Sequence, residues 1–565
     1  MTDVEKQMQR NVKKLSDEKF DLVVIGAGIY GAATAWDATL RGLKVALIDK
    51  GDFGSATSAN SLKIIHGGLR YLQQLDVKRM RESIRERKIL MYIAPNFIYP
   101  LPVLMPTYSW KLKSRPALAL ALLANDIVGF DRNGLDDPHK YMPAGKTMSP
   151  KKLKELIPGY DKYNLNGGAL WWDCQCYNTE RLLLHYVISA VNKGAVAANY
   201  VKATGFVLKN DHIAGVKVQD MISGDDFVIQ TNMVINDAGP WVDKVLADLN
   251  GKTPRKKFNL STAMNIVVNR DVMGKYAAGL SGPYRHVFED GREYRAHRIL
   301  FFAPWRGKTI IGTNHLPYRG DQDKYKVTER EIESFLADVN EAHPGAKIKR
   351  EEVSYFYGGF LPMDGTDPKT GEVQLMRHYK IYDHYKEDKI QGLITAIGVK
   401  YTTARDVAKK TVDFIFKKMK RKPPVSRTDR IRIYGGEIDR FEDFVNERSA
   451  QLTEKLDRKV VVHLSHNYGS AMDEILKYER ESEENLRQIE GSDEVLRAEV
   501  FHAVRKEMAQ KLVDVILRRT DLGSAGHPGQ KAVAEVAEIM AKELGWSKAK
   551  KESEIQEVEQ IYIPA

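Results

Sequence analysis

Residues 21–50, DLVVIGAGIYGAATAWDATLRGLKVALIDK, place a short apolar run, a glycine-rich turn, a helical pattern and a second apolar run in direct succession. Apolar runs of this length are typical of strands buried in a parallel sheet. In the turn, Gly26 permits the tight bend, Gly28 lets the backbone approach a pyrophosphate, and Gly31 allows close packing of helix on strand. Asp49 closes the second run, where it can accept hydrogen bonds from a ribose. The segment predicts a dinucleotide-binding unit, without distinguishing NAD from FAD.

The composition fits a large globular protein of a reducing compartment. The chain has 565 residues, of which 43% are hydrophobic and 29% charged, and this length allows two to four domains. Its two cysteines, Cys174 and Cys176, are too few for a disulfide framework or a four-ligand zinc site, which favours a reducing compartment, and we expect no metal. Their spacing differs from that of a thioredoxin motif, and we interpret them as structural. We find neither a secretory signal nor an apolar run long enough to predict a transmembrane helix.

Part of the net charge of +12 is concentrated in residues 61–120, which contain 11 Lys or Arg against 3 Asp or Glu. This region includes the start of an apolar stretch, RPALALALLANDIVGF (115–130), preceded by Trp110, Lys111 and Lys113. Aromatic and basic residues beside a short apolar helix are typical of interfacial membrane binding. A core helix beside a solvated charged face explains the pattern equally well. No nucleic-acid-binding module is recognisable, so we expect no nucleic-acid partner.

Residues 54–72, GSATSANSLKIIHGGLRYL, combine a hydroxyl-rich loop with a His-Gly-Gly-Leu-Arg-Tyr run. Together with GAGIYGAATAWDATLRG (26–42), they resemble the FAD-dependent glycerol-3-phosphate dehydrogenase family, which belongs to the wider group of D-amino-acid and sarcosine oxidases. MVINDAGPWVDKVL (233–246) and ITAIGVKYTTARDVAKK (394–410) resemble two further FAD-contacting segments of that family. The resemblance extends over about residues 18–545.

This resemblance implies FAD as the cofactor. It places the hydroxyls of the 54–72 loop at the phosphate–ribitol arm and the His-Gly-Gly run against the flavin ring. A flat ring needs a backbone surface without side chains, which two successive glycines provide. The cofactor-binding residues that the resemblance implies are Gly26, Gly28, Gly31, Asp49, Lys50, Thr57, Ser58, Ser61, Lys63, His66, Gly67, Gly68, Val201, Ala238, Gly239, Gly398, Lys400, Tyr401 and Thr402.

Because the flavin segments lie far apart in sequence, we expect an α/β fold with a discontinuous Rossmann-like FAD-binding domain. An antiparallel-sheet substrate domain would roof the flavin, and a helical domain would follow at the C-terminus. The predicted ranges are 18–100, 165–255 and 385–425 for the FAD-binding domain, 101–164 and 256–384 for the substrate domain, and 426–565 for the helical domain.

Local patterns predict further elements. Residues 201–220 are typical of a hairpin with an Asn-Asp turn. Apolar residues recur every four positions in 499–523, which predicts a helix ending at Gly523, and a second amphipathic helix should end at Gly545. The lysine-rich stretch 546–552 has the composition of a weakly structured segment.

The resembling family oxidises the secondary alcohol of glycerol 3-phosphate to dihydroxyacetone phosphate, with hydride transfer to flavin N5 and loss of the hydroxyl proton to a base. Cations are needed for the phosphate, and arginine binds it through a two-pronged fork. From the family's motifs, this chain keeps Arg70, Tyr71, Arg377 and Lys400, and Lys400 would lie at the N1/C2 edge of the flavin.

Three features of the predicted roof depart from the family pattern. Asn265 stands where the family has a histidine that is a candidate base, and Leu361 replaces a substrate-binding arginine. Gly-Thr-Asn-His at 312–315 replaces Gly-Thr-Thr-Asp. His315 and His378 are therefore the alternative candidates for the base, although a structural role for either histidine is open.

We accordingly expect FAD-dependent oxidation of glycerol 3-phosphate or a related small polyol or hydroxy compound. The departures leave open a different, non-phosphorylated substrate and a flavin-binding protein without turnover. An NAD-dependent dehydrogenase, which would be colourless, is a third reading. The electron acceptor would be a quinone or oxygen. We expect a cytoplasmic location, and leave open both peripheral contact with the inner face of the membrane and assembly into a homo-oligomer.

Overall fold

A computed structural model of the chain describes residues 8–108, 114–162, 164–247, 249, 256–288 and 290–565. The predicted Trp110, Lys111 and Lys113 lie outside the described residues. The strands are β1 (Lys19–Phe20), β2 (Leu22–Ile25), β3 (Val45–Ile48), β4 (Ile64–Ile65), β5 (Ile98–Tyr108), β6 (Lys146–Met148), β7 (Leu165–Cys176), β8 (Val196–Ala198), β9 (Val201–Lys209), β10 (His212–Asp220), β11 (Asp226–Thr231), β12 (Val234–Asn236), β13 (Asn259–Val268), β14 (Ala277–Val287), β15 (Glu293–Trp305), β16 (Lys308–Tyr318), β17 (Val353–Thr366), β18 (Val373–Leu375), β19 (Lys380–Asp383) and β20 (Leu393–Ile397).

The helices are α1 (Val12–Asp17), α2 (Ile29–Leu40), α3 (Val77–Ile93), α4 (Arg115–Val128), α5 (Pro150–Leu156), α6 (Thr179–Asn192), α7 (Val242–Leu246), α8 (Glu329–Ala342), α9 (His384–Glu387), α10 (Ala404–Lys418), α11 (Phe441–Gln451), α12 (Arg458–Tyr468), α13 (Asp473–Leu476), α14 (Arg497–Lys506), α15 (Leu512–Asp514), α16 (Gln530–Leu544) and α17 (Lys548–Ile561). Short 3-10 turns connect several of them, among them Leu69–Gln74. Among the described helices, none combines the length and the apolar character needed to cross a bilayer.

A six-stranded sheet in the order β19-β20-β12-β2-β3-β8 forms the centre of the nucleotide-binding half. Its strands are parallel except for β19, and every residue of β2 and β3 is buried. Helices α2, α6 and α10 pack together against it in one apolar core. The predicted Rossmann-like unit is therefore confirmed, and the carboxyl ends of its strands meet at one edge, where ligands bind in such sheets.

The second large sheet has the order β18-β17-β13-β16-β15-β14-β5-β7-β4, and β6 pairs with β7 at its side. Its pairs are antiparallel except for β14 with β5. Helix α8 covers one face in a core of its own. This arrangement confirms the expected antiparallel-sheet domain. The predicted division gives residues 165–176 to the FAD-binding domain, whereas this segment is strand β7 of the large sheet; the domain bounds stay predictions.

The hairpin expected at 201–220 is present as β9 and β10, joined by Asn210 and Asp211, both with positive φ. Together with β1 and β11 it forms a separate four-stranded sheet. Helices α11–α17 build the C-terminal domain, and α16 ends at the expected Gly545, which adopts a left-handed conformation.

Two C-terminal predictions are wrong. The helix expected over 499–523 is interrupted, since α14 ends at Lys506 and Met508 has a φ of +57°. Glu507 is buried just after α14, and its carboxylate pairs with Arg181 at 2.6 Å. The backbone carbonyl of Glu507 accepts hydrogen bonds from Arg519. These tertiary bonds outweigh the helical periodicity. The lysine-rich stretch 546–552 is also structured, because Ser547 caps the start of α17 by accepting a hydrogen bond from the Lys550 N–H.

Buried ion pairs join the C-terminal domain to the nucleotide-binding half. Asp52 follows β3 and is fully buried, and its carboxylate accepts hydrogen bonds from Arg518 and Arg519 at 2.6–2.8 Å. Buried charges persist only when they are paired, because each would otherwise be desolvated without compensation. The C-terminal domain therefore braces the segment that leads from Asp49 into the loop at 54–72.

Candidate active site

The glycine-rich turn joins β2 to α2 in the predicted way. Gly26 has a φ of +99° and donates its N–H to the Ile48 carbonyl at 2.8 Å. A Cβ on Gly31 would lie 1.8 Å from the Gly26 oxygen, so only glycine permits this approach of helix to turn. A Cβ on Gly28 would meet no atom closer than Ser58 Oγ, at 3.2 Å. The surface in front of Gly28 is open to a ligand.

Asp49 lies at the carboxyl end of β3 beside this turn. Its carboxylate accepts hydrogen bonds from the backbone N–H of Ala27 at 2.6 Å and of Gly51 at 2.9 Å. Burial raises its pKa to about 6, although both hydrogen bonds favour the charged form. Val201 donates its N–H to the Asp49 carbonyl at 2.7 Å, which ties β9 to this edge. A partly accessible carboxylate next to a phosphate-type turn fits the ribose of a dinucleotide.

Three other predicted contacts, Lys50, Ala238 and Gly239, lie around the same edge. A Cβ on Gly26 would lie 2.8 Å from Ala238 Cα, so the end of β12 abuts the turn. Gly239 has a φ of +53°, and space around it is open. Lys50 lies at the surface and pairs with Asp323 at 2.5 Å. Burial raises the pKa of Asp237, immediately before Ala238, to about 7.

The hydroxyls of the 54–72 loop tie it to its neighbours. Ser58 Oγ accepts the Ile29 N–H at 3.0 Å at the start of α2. Thr57 exchanges two hydrogen bonds with the Phe360 backbone in β17, at 3.1 and 3.2 Å. The Ser61 carbonyl accepts the Tyr357 hydroxyl at 2.7 Å. These bonds hold the loop between the two large sheets, and direct contacts of Thr57, Ser58 and Ser61 with FAD stay predictions.

Lys63 has a different environment from the rest of the loop. Its φ is +58°, its ammonium group is buried, and it pairs with Glu180 at 2.5 Å and with the Thr179 hydroxyl at 2.8 Å. The ammonium is thus engaged in an ion pair inside the protein. A contact of Lys63 with the cofactor would have to involve its backbone.

Asp173 of β7 holds the His-Gly-Gly run in place. The Asp173 carboxylate accepts the Gly67 N–H at 2.7 Å and a hydrogen bond from Arg87 at 3.0 Å, and it lies 3.0 Å from His66 Nδ1. Although burial opposes its charge, the bonds and charges of His66 and Arg87 lower the pKa of Asp173. A Cβ on Gly67 would lie 2.3 Å from the Arg87 guanidinium, and Gly68 has a φ of +89°. The backbone here is fixed and bare, as a flavin surface requires.

Residues 398–402, which follow β20, are bound to the glycine-rich turn by Tyr30. The Tyr30 hydroxyl donates to the Lys400 carbonyl at 2.5 Å and accepts the Lys400 N–H at 3.0 Å. A Cβ on Gly398 would lie 1.8 Å from the Tyr30 ring. The Tyr401 hydroxyl donates to the Thr179 carbonyl at 2.9 Å, and Thr402 is buried. Two predicted FAD segments, separated by 370 residues, are therefore joined directly.

Cationic side chains gather where these segments meet. Lys400 Nζ lies 3.8 Å from the centroid of the Tyr71 ring, and burial lowers the pKa of Lys400 to about 8. Arg70, next to Tyr71, and Arg377, after β18, are both exposed. Among the described residues, no carboxylate forms an ion pair with Arg70, Arg377 or Lys400. Arg79 of α3 lies with its guanidinium carbon 4.2 Å from the same ring centroid.

The predicted roof carries the three departures on neighbouring strands. Asn265 of β13 is buried, and its Oδ1 accepts the Thr313 hydroxyl at 2.9 Å. Leu361 of β17 is half-buried opposite Ser261 of β13. His315 of β16 stands opposite Ala263 of β13. The roof strands thus bring the substituted positions into one sheet.

His315 and His378 differ in their surroundings. Burial, helped by the charges of Arg298 and Arg70, lowers the pKa of His315 to about 4. Its Nδ1 is buried and has no hydrogen-bond partner among the described residues. His378 is exposed. His315 is therefore neutral at pH 7, as a proton-accepting group must be.

Several contributors to the site were not identified from sequence. Asp173, Arg87 and Tyr30 support the glycine shelf and the Lys400 segment, and Arg79 joins the cations at Tyr71. Asp173 does leave a signal, since it is an acidic residue inside the otherwise apolar run GALWWDC. The adjoining Cys174 and Cys176 are buried free thiols, and burial raises the pKa of Cys174 to about 12. A redox role for either thiol has no support.

The geometry fits FAD. The open glycine turn leads into the N-terminus of α2, a carboxylate suited to a ribose lies beside it, and the His-Gly-Gly run presents a glycine surface that Asp173 holds in place. The residues that would hold the cofactor are those of the turn, Asp49, the His-Gly-Gly run and the segment at 398–402. Lys400, which contacts Tyr71, would add positive charge near the bound ring, and this charge would stabilise an anionic reduced flavin.

Comparisons with known proteins agree with this geometry. The model of the family described as FAD dependent oxidoreductase matches residues 21–404, and that of the C-terminal domain of alpha-glycerophosphate oxidase matches residues 426–551. A glycerol-3-phosphate dehydrogenase of Synechocystis sp. is 34% identical over 98% of this chain and 99% of its own length. The alpha-glycerophosphate oxidase of Lactococcus lactis is 28% identical over 98% of this chain and 97% of its own.

One solved structure is similar to this chain over nearly its whole length. The glycerol-3-phosphate dehydrogenase of Bacillus halodurans, determined in complex with FAD, superimposes with a TM-score of 0.74 at 26% sequence identity. The match covers 98% of this chain and 96% of that one. The chain therefore belongs to the family of FAD-dependent oxidoreductases, with the C-terminal domain of the alpha-glycerophosphate oxidases.

Proposed function

We propose that this protein is an FAD-dependent dehydrogenase or oxidase that converts glycerol 3-phosphate to dihydroxyacetone phosphate. The observation that carries the proposal is the contact of Lys400 with the Tyr71 ring, 3.8 Å apart. It unites the segment expected at the flavin edge with the residue that follows His-Gly-Gly-Leu-Arg. The full-length similarity to glycerol-3-phosphate dehydrogenases supports the same reaction.

The cations account for the choice of an anionic substrate. Arg70, Arg377 and Lys400 lie without ion-pair partners among the described residues, so a phosphate can neutralise them. With a pKa of about 8, Lys400 is mostly charged at pH 7. A bound phosphate would raise that pKa, because an opposite charge favours the protonated form.

His315 is our candidate for the base that takes the hydroxyl proton. Asn265, at the position of the expected histidine, has an amide that cannot accept a proton at neutral pH. His315 is neutral at pH 7, since its pKa is lowered to about 4, and its Nδ1 has no hydrogen-bond partner among the described residues. A nearby substrate dianion would raise this low pKa toward the useful range. When bound, FAD supplies the acceptor for the hydride that leaves the carbinol carbon.

Product analysis tests the proposed reaction. The purified yellow protein is incubated with sn-glycerol 3-phosphate and an artificial electron acceptor, and dihydroxyacetone phosphate is quantified. We expect one product molecule for each electron pair passed to the acceptor. Turnover of glycerol but not of its phosphate would instead identify the non-phosphorylated-substrate alternative that Leu361 and Asn265 raise. No reduction by any polyol would identify a flavin-binding protein without turnover.

The electron acceptor in this proposal is a quinone or oxygen. The exposed apolar side chains of α4 favour a quinone in a membrane. In α4, only Leu122 is buried, whereas Leu120, Leu123 and Ile127 are 69%, 57% and 65% exposed. Phe130, just beyond the helix, is 80% exposed. Amphipathic helices that present apolar side chains beside basic residues bind the membrane interface. We include peripheral membrane contact through α4 in the proposal.

Vesicle flotation tests this contact. The protein is mixed with vesicles of anionic phospholipid, and the Leu123→Asp/Ile127→Asp variant is compared with Val425→Asp, since Val425 is an 85% exposed apolar residue outside this helix. We expect the α4 variant to lose binding and the control to keep it. Equal binding of both variants would remove α4 from the proposal.

A further inference from the structure

Two cations share the ring of Tyr71. Lys400 Nζ lies 3.8 Å from the ring centroid, and Arg79 Cζ lies 4.2 Å from it. Arg79 belongs to the first turn of α3, and Lys400 follows β20, so the ring is the meeting point of two distant segments. Both distances are within the range of a cation–π contact. Stacking on an aromatic ring restricts a guanidinium and leaves its N–H edge free for a ligand.

Among the described residues, the cations Arg79, Arg377 and Lys400 share a single ion-pair partner, Asp76. Asp76 lies 3.6 Å from the Arg79 guanidinium, and its carboxylate also caps α3 by accepting the Arg79 N–H at 3.1 Å. Glu82, the other acidic neighbour, pairs with Lys410 at 3.3 Å. Burial lowers the pKa of Arg79, and the charge of Arg377 contributes in the same direction. The ion pair with Asp76 opposes this shift of the pKa.

Arg79 is also well covered, with 11% of its side chain exposed. Asp76 offsets one positive charge, but Lys400 brings a second one to the same ring, so a further anion would complete the cluster. Arg85 of the same helix lacks this setting, since its side chain is 58% exposed and lies 3.6 Å from Asp429. The cluster at Tyr71 is consequently suited to a dianion.

We propose that Arg79 binds the phosphate group of the substrate, together with Arg377. This inference rests on the proposed function and names a residue that the resemblance did not supply. Leu361 of β17 carries no charge at the position where an arginine was expected, and Arg79 provides a guanidinium from α3 instead. Tyr71 orients the Arg79 fork by stacking, so that two N–H groups can face the phosphate oxygens.

The kinetics of two variants distinguish phosphate binding by Arg79 from a role of Arg79 in positioning Tyr71. In anaerobic stopped flow, Arg79→Leu should raise the glycerol 3-phosphate concentration that gives half-maximal flavin reduction by about 10- to 100-fold, as expected for the loss of a charged hydrogen bond. The limiting rate should change less than about threefold. Arg85→Leu, which removes the same charge from the same helix, should leave both parameters unchanged. A fall of the limiting rate with unchanged half-saturation would mean that Arg79 only positions Tyr71, and would overturn the proposal.

Inorganic phosphate separates this inference from the proposed function. Its binding to the FAD-loaded protein is measured by calorimetry, without substrate turnover. We expect phosphate to bind the wild type and Arg85→Leu alike, and to bind Arg79→Leu about 10-fold or more weakly. If glycerol 3-phosphate fails to reduce the flavin while phosphate binding still depends on Arg79, the proposed reaction fails and the anion site stands. Equal phosphate binding by Arg79→Leu, or none by the wild type, would overturn the site.

Discussion

Replacement of Gly31 by alanine should destabilise the protein even without FAD. The new Cβ would lie 1.8 Å from the Gly26 oxygen, so the first turn of α2 must move by roughly 1.5 Å to reach ordinary contact. Overpacking costs about 1–3 kcal/mol, and a backbone obstacle points to the upper end. The better helix propensity of alanine returns up to about 1 kcal/mol. The net loss in the free energy of unfolding is about 2 kcal/mol. For a domain of about 150–250 residues, this corresponds to a fall of about 4–8 °C in Tm.

Gly28→Ala is the matched control, because its Cβ would meet only the Ser58 side chain, at 3.2 Å. Its backbone has a φ of −70°, which alanine adopts without strain. Differential scanning fluorimetry of the apoproteins should therefore show an unchanged Tm for Gly28→Ala and a lowered Tm for Gly31→Ala. On adding FAD, Gly28→Ala should gain less Tm than the wild type, since its methyl group occupies the open surface. Equal apoprotein Tm values for Gly31→Ala and the wild type would refute the packing argument.

Three further outcomes are expected. Gly398→Ala should lower the flavin-to-protein absorbance ratio of the purified protein, because its Cβ would lie 1.8 Å from the Tyr30 ring; full flavin content would contradict this. For glycerol 3-phosphate, kcat/KM should fall as pH rises through about 8, where Lys400 loses its charge, and Lys400→Arg should move that fall to higher pH; identical profiles would exclude Lys400. Asp173→Asn leaves the buried Arg87 without its anion and should destabilise the protein by about 3 kcal/mol in urea unfolding, whereas an unchanged midpoint would deny Asp173 this role.

Local sequence signals predicted the nucleotide-binding edge because its parts are adjacent in the chain. The neighbouring parallel strands β2 and β3 follow from two apolar runs joined by one helix. The same holds for Asp49, which the end of β3 delivers to the turn. The presence of an antiparallel sheet was predicted, but not all of its strands. Residues 165–176 belong to it because they pair with β5, and no local sequence pattern encodes that pairing.

The rest of the site depends on contacts between distant residues. Tyr30 meets Lys400 across 370 positions, and Asp173 meets Gly67 across 106. Periodicity contains no information on such pairs. Arg79 is one of four arginines in α3, and its contact with the Tyr71 ring, which singles it out, is a contact between distant elements that the sequence pattern does not encode. The break after α14 likewise follows from the tertiary partners of Glu507.

An anaerobic titration of the oxidised protein with sn-glycerol 3-phosphate tests the central claim most directly. The account predicts that the yellow flavin absorbance bleaches with an end point of one substrate per FAD, and that glycerol at the same concentrations bleaches it far less. This discrimination reflects the phosphate contacts of the cations around Tyr71 and Lys400. Absorbance that stays unchanged with glycerol 3-phosphate, or bleaches equally with glycerol, would contradict the account.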